Sequence, residues 1–292
     1  MVAIAGGWNY GDIYDALGAA LPADAPALIH GERAISWGDF TARSNRLARA
    51  LGAAGLTADS KVGFYCRNHP AYMEMLAACF KGRFVHVNVN YRYVDEELYY
   101  IFDNSDAEAV LYAREFAPQV EALKARLPKV KCFIEVSDDT DVVLDGALSY
   151  EALAQNGDGS PLGIPRSGDD LLFLYTGGTT GMPKGVMWRQ ADALTECFAG
   201  SREATSVAEF VAATTGRRAL IPPPFMHGAG HWLSFGTWNA GGTVFVPSVP
   251  ERLDPVDIWT IVERERIDFL LIVGDAFGRP LLDELDRGSY DI

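Results

Sequence analysis

Apolar and polar positions along this chain follow two periods that take turns. The stretches 61–66 (KVGFYC), 83–89 (RFVHVNV), 108–113 (EAVLYA) and 130–136 (VKCFIEV) are short apolar runs rich in β-branched and aromatic residues, and they read as strands. Between them the period lengthens. In 38–55 (GDFTARSNRLARALGAAG), Phe40, Leu47, Ala50, Leu51 and Ala54 fall near helical spacing, and Gly55 stands where a stop is expected. The segments 71–80, after Pro70, and 116–127 also read as helices, and 95–102 carries acidic residues in its first turn, where the helix dipole favours them. Ahead of these, 27–37 (ALIHGERAISW) reads as a hairpin turning at Gly31-Glu32.

The rhythm breaks at 156–170 (NGDGSPLGIPRSGDD), a loop composition that predicts a junction between a first β-α subdomain, 1–160, and a second, 161–292. The second half opens on the apolar strand 170–176 (DLLFLYT). A short strand ended by three prolines follows in 214–224, then a helix over 231–238 and a strand over 242–247. In 254–268 Asp254 can cap a helix, Pro255 suits its first turn, and Ile258, Ile261 and Val262 share a face. A strand over 268–274 and a helix over 275–286 close the chain. Strands alternating with helices predict an α/β fold, with parallel sheets covered by helices and ligands bound at the C-terminal strand ends.

Composition narrows the field. The 292 residues are 49% hydrophobic and 22% charged, which excludes a disordered or fibrous chain. With 25 basic against 39 acidic residues, the net charge of −14 disfavours nucleic acid and anionic membranes as partners. Cys66, Cys79, Cys132 and Cys197 form no close pair and read as reduced, mostly buried thiols. No run of 18 apolar residues occurs, and the N-terminal residues lack the basic and apolar regions of a signal peptide, so a cytoplasmic location is expected by elimination.

One segment carries chemistry: Tyr175-Thr176-Gly177-Gly178-Thr179-Thr180-Gly181-Met182-Pro183-Lys184-Gly185-Val186. Its glycines let backbone N–H groups turn toward a ligand and form an anion-binding nest, its threonines add hydroxyl donors, and Lys184 adds a positive charge. The composition fits a phosphate cradle or a flexible surface turn. It is not a Walker A loop, because Lys184 follows Pro183 and precedes Gly185. His227 and His231 are four apart, but no glutamate follows His227, so a zinc pair of the HExxH kind is not expected and no metal ligands are assigned.

The segment YTGGTTGMPKGV resembles the phosphate-loop signature of the adenylate-forming superfamily, which includes acyl-CoA synthetases, luciferases and peptide-synthetase adenylation domains. The usual form reads YTSGTTGxPKGV, and Gly177 replaces its serine. Other stretches agree in order: 35–51, 87–111, and PPFMHGAG (223–230), which is similar to the superfamily's PLFHxxG. The wording VNVNYRYV, GVMWR and GDAFGRP is similar to actinobacterial-type fatty-acid and steroid-side-chain CoA ligases.

The resemblance implies the large N-terminal domain of that fold, with stacked sheets flanked by helices. It implies that Thr176, Gly177, Gly178, Thr179, Thr180, Gly181 and Lys184 hold the ATP phosphates with Mg²⁺. A carboxylic acid is then activated as acyl-AMP and transferred to CoA. It places His227 at the acyl pocket near the α-phosphate, as a catalytic contact or a wall residue. His231, Trp232 and Phe235 line an apolar acyl tunnel on this reading, or else pack in the core. Gln190 stands where a histidine is usual, so that residue's role does not carry over. Asp275, at a strand end, reads as a helix N-cap rather than a ligand contact.

The resemblance also implies further segments beyond residue 292: an adenine-gripping stretch, a ribose-binding aspartate and a small C-terminal lid domain. The chain is therefore expected to be an N-terminal portion, not competent alone, with homodimerisation open. Remaining alternatives are an amino-acid or aryl-acid adenylation domain, an unrelated nucleotide hydrolase, and a non-catalytic ligand-binding or self-associating fragment.

Overall fold

The structure, a computed structural model, describes residues 8–137, 144–177, 182–198 and 204–292. In chain order the first half comprises α1 (Tyr10–Ala20), β1 (Pro26–His30), β2 (Arg33–Ser36), α2 (Trp37–Ala53), β3 (Lys61–Tyr65), α3 (Pro70–Gly82), β4 (Val85–Asn88), α4 (Asp95–Asn104), β5 (Ala107–Ala113), α5 (Ala117–Lys124), β6 (Cys132–Val136), β7 (Leu148–Ser149) and α6 (Tyr150–Gln155). The second comprises β8 (Leu171–Thr176), β9 (Lys184–Arg189), α7 (Gln190–Ala193), α8 (Val207–Ala212), β10 (Arg218–Leu220), α9 (Gly228–Asn239), β11 (Thr243–Val246), α10 (Pro255–Glu265), β12 (Phe269–Leu270) and α11 (Asp275–Leu285).

The strands form two five-stranded sheets, in the orders β12-β10-β11-β1-β2 and β4-β3-β5-β6-β7, and a two-stranded hairpin, β8-β9. Pairing within the five-stranded sheets is parallel except for β1-β2, which is the antiparallel hairpin expected at Gly31, where φ is +58°. The α/β architecture is the expected one. The sheets interleave the sequence halves: Leu28, Ile29 and His30 of β1 pair with Val244, Phe245 and Val246 of β11.

Alternation along each strand explains the layering, because successive side chains point to opposite faces. Ala109 and Leu111 of β5 join the main core, whereas Val110 and Tyr112 face a second cluster with α4 and α5. Val244 and Val246 of β11 also face the main core, and Phe245 faces α10 and α11. The two sheets therefore share one central helical layer that includes α1, α2, α3 and α9, and each carries its own helices outside.

Helix α3 lies inside that layer with all its residues buried. Its two buried charges are matched. Glu74 accepts from Arg43 at 2.6 Å and from the Tyr150 hydroxyl, and Lys81 meets Asp15 at 3.2 Å. Burial lowers the Lys81 ammonium to a pKa of about 8 against the pull of Asp15.

Several boundaries differ from expectation. Helix α1 and strand β9 were not anticipated. Strand β12 spans two residues instead of seven: it pairs only with β10, so Ile272 and Val273 run on without a ladder and stay exposed. The strand expected to start at Arg83 starts at Val85, because Arg83 closes α3 in the left-handed conformation (φ +62°). Among the described residues, no helix is long and apolar enough to cross a membrane. Cys66, Cys79 and Cys132 are free and buried, as expected, and the Cys197 side chain lies outside the described residues.

Candidate functional site

The YTGGTTGMPKGV segment is the connection of a β-hairpin. Strand β8 runs antiparallel to β9 with Thr176 opposite Lys184, so the two ends of the loop stand side by side. Gly178, Thr179, Thr180 and Gly181 lie outside the described residues. Thr176, Gly177 and Lys184 are exposed at the hairpin's open end.

Two glycines here have different reasons. A Cβ on Gly185 would come within 2.8 Å of the Tyr175 ring, so that position needs the missing side chain. A Cβ on Gly177 would meet no atom of the described residues within 4 Å, so nothing described there excludes the serine usual in the superfamily.

His227 sits immediately before α9, in extended conformation as its N-cap residue, after the turn of Pro222, Pro223 and Pro224. Its N–H donates to the Pro224 carbonyl at 3.0 Å, and its ring lines a cavity of about 370 Å³. The cavity opens where β4, β10 and β11 end. Tyr91 and Arg92 follow β4, the three prolines follow β10, and Pro247 and Val249 follow β11. This is the C-terminal strand edge at which α/β sheets bind ligands. Leu253, Ile258, Val273 and Phe277 add apolar wall. Partial enclosure lowers the His227 pKa, and the nearby Arg92 guanidinium lowers it further, so the imidazole is neutral at pH 7.

The other aromatic candidates point elsewhere. His231 and Phe235 are fully buried and do not line this cavity. The His231 ring stacks on Phe235 (centroids 5.6 Å apart) and meets His86 edge-on at 4.5 Å, with neither ring nitrogen hydrogen-bonded. Burial drives its pKa to about 3, with His227 adding repulsion. Trp232 is half-buried and packs edge-to-face on Trp188 of β9, at 5.9 Å and 88°. That contact, with the approach of Gly228 to Leu174 of β8, places the hairpin against the first turns of α9.

Gln190 is buried, and its Oε1 accepts from the Tyr10 N–H at 2.9 Å, which gives it a structural task in holding α1. Asp275 is the first residue of α11 and not its cap. Gly274 takes that place at φ +65°, a conformation that favours glycine.

Among the described residues no group of three His, Cys, Asp or Glu side chains could cage a metal. The donors beside the loop are a hydroxyl, backbone amides and an ammonium. They fit a nucleotide whose phosphates carry Mg²⁺ rather than an all-protein metal site.

Sequence reasoning missed two residues of this region. Arg92 lines the cavity beside His227, and Asn88, at the end of β4, is buried and bonds to both the hairpin and the His227 turn. Asparagines at the ends of two neighbouring apolar strands, Asn68 and Asn88, were the available signal.

Residues 17–288 match the family model described as AMP-binding enzyme. The chain is 36% identical over 299 residues to the medium-chain acyl-CoA ligase Mig of Mycobacterium avium, a match covering 95% of this chain and 54% of that protein. It is 38% identical over 274 residues to 3-oxocholest-4-en-26-oate–CoA ligase of Rhodococcus rhodochrous, covering 90% and 49%. The chain thus spans about half the length of these relatives. The inhibitor-bound N-terminal domain of FACL13 from Mycobacterium tuberculosis has the same fold, with TM-score 0.81 at 21% identity, over 97% of this chain and 67% of that one.

Proposed function

The chain belongs to the AMP-binding enzyme family, and from that premise we propose that it carries the phosphate loop and acyl-side wall of an ATP-dependent acid–CoA ligase. The hairpin carries this reading: it places Thr176 opposite Lys184 at the mouth of a Gly/Thr loop, against the helix that begins at His227. The apolar cavity favours a fatty or steroid-side-chain acid as substrate. The named activities of the Mycobacterium avium and Rhodococcus rhodochrous relatives support that class.

In the first step the substrate carboxylate attacks the α-phosphorus of ATP. A P–O bond to the acid forms, the bond to the β-phosphate oxygen breaks, and pyrophosphate leaves. A carboxylate is already a nucleophile, so the protein's work is positioning and charge neutralisation. The Lys184 ammonium and the Thr176 hydroxyl hold the phosphates that become pyrophosphate. Magnesium bound with the nucleotide would supply further neutralisation of that charge. Neutral His227 orients the carboxylate by donating one hydrogen bond, and Arg92 gives the same cavity a potential that favours an anion. In the second step the CoA thiol displaces AMP at the acyl carbon, forming a C–S bond and losing its proton.

Binding is the measurement suited to a chain of this length. Titration calorimetry with Mg-ATP and a panel of fatty, steroid-side-chain, aryl and amino acids should show tightest binding for the first two classes. Pyrophosphate–ATP exchange, where present, should depend on the acid. Nucleotide hydrolysis that ignores every acid, or absence of binding for both ligands, would overturn the proposal.

A further inference from the structure

The phosphate-loop hairpin and the His227 turn lie far apart in the chain, yet one buried side chain bonds to both. Asn88 ends β4 and is 4% exposed. Its Nδ2 donates to the carbonyl of Tyr175 at 2.8 Å and to that of Met226 at 2.7 Å, and its Oδ1 accepts from the Tyr175 N–H at 2.6 Å. Tyr175 directly precedes Thr176, and Met226 directly precedes His227. Both donors and the acceptor of the amide are therefore committed to these two segments.

Residues around the same stretch of chain hold both segments from outside. The Tyr100 hydroxyl of α4 donates to the Pro183 carbonyl at 3.2 Å, the Tyr175 hydroxyl donates to Asn104 at 2.9 Å, and the Tyr91 N–H approaches the Met226 sulfur at 3.4 Å. Asn68 supplies the contrast. It donates to the carbonyls of Ile221 and Pro223 and accepts from the Phe225 N–H, so it braces the His227 turn, and among the described residues it makes no hydrogen bond to the hairpin.

We propose that Asn88 is a positioning residue that registers the phosphate hairpin against the His227 turn, so that filling the phosphate loop orders the acyl-side wall. The inference rests on the reading of those two segments given above. Asn88 touches neither ligand. It acts through the carbonyl and amide of Tyr175 and the carbonyl of Met226. A shift of the hairpin on binding phosphate must either carry the Met226 carbonyl with it or break a buried bond, which leaves a polar group unpaired.

Hydrogen–deuterium exchange on the whole chain, with and without magnesium and inorganic tripolyphosphate, tests this. In the wild type tripolyphosphate should slow exchange across 171–189 and also across 221–231, by about fivefold or more at the second segment. In Asn88→Ala the protection should persist across 171–189 and fall to within about twofold of the unliganded rate across 221–231. Asn68→Ala should raise basal exchange at 221–231 yet keep its response to tripolyphosphate, which separates coupling from simple bracing.

Protection confined to 171–189 in the wild type overturns the coupling and leaves the phosphate reading standing. That arm decides the matter even where Asn88→Ala fails to fold. No protection in either segment overturns both readings. An Asn88→Ala chain that still transmits protection to 221–231 also overturns the proposal.

Discussion

At the scale of single residues, the proposed site has exposed side chains available to a ligand and buried side chains that hold its segments in place. Lys184 is exposed at the hairpin's end and has little to do with folding. Lys184→Ala is expected to weaken tripolyphosphate binding about tenfold or more, the usual worth of a charge-assisted bond, while thermal denaturation stays unchanged. Gly177→Ser should be neutral for both, since among the described residues no atom lies within 4 Å of the Cβ it adds. A calorimetric titration beside a melting curve checks each. The segment proposed as the phosphate loop was legible as a motif, because its glycines, threonines and lysine lie within a few residues of one another. Asn88 was not, because its function is a set of bonds to carbonyls more than eighty residues away, and no local spacing announces them.

At the scale of elements, α9 decides how closely the His227 turn packs. Gly230 lies where a Cβ would come within 2.7 Å of the Pro224 carbonyl oxygen and 3.0 Å of that of Pro223. Both obstacles are backbone, so Gly230→Ala is expected to destabilise the fold by about 1–3 kcal/mol in urea denaturation. Gly236, six residues on, has no atom of the described residues within 4 Å of a built Cβ. There an alanine only removes the conformational freedom of a helical glycine, and Gly236→Ala should stabilise by about 0.5–1 kcal/mol. Opposite signs within one helix would show that packing, not helix propensity, sets the register.

The helix itself was legible to within three residues at its start. Helix α1 escaped notice although Tyr10, Ile13, Tyr14 and Leu17 recur at helical spacing and Asn9 caps it. Strand β9 carried no comparable signal. It is mostly exposed, so nothing imposes an apolar–polar alternation on its residues.

At the scale of the whole molecule, the buried histidine beneath the site sets a pH response. His231 faces His86 from β4, Tyr72 from α3 and His227 from the start of its own helix. Its folded pKa of about 3 lies below the ordinary 6.5. The unfolded chain therefore binds the proton first as pH falls, and the stability present above pH 6.5 is lost progressively down to about 3. His231→Phe removes the titrating group. Wild type should lose stability relative to that variant by up to about 1.4 kcal/mol per pH unit across the window, measured by denaturant unfolding at pH 7, 6, 5 and 4.

The buried Lys81 acts at the other end of the scale. Its folded pKa of about 8 is below the ordinary 10.5, so its contribution to stability rises as pH climbs between those values. Lys81→Met should abolish that rise in denaturant unfolding at pH 8, 9 and 10.

Taken alone, the sequence determined the alternation of strands and helices, and the Gly/Thr segment with its place after an apolar strand, because these depend on periods and spacings within a few residues of one another. Tertiary structure decided what meets what. It joined the hairpin of residues 26–36 to the strand at 243–246, set His227 at a cavity and His231 in the core one helical turn later, and set Asn88 between the β8-β9 hairpin and the His227 turn. Those outcomes depend on which faces bury against each other and on where buried polar groups find partners. Both are properties of the packed chain rather than of any stretch of it.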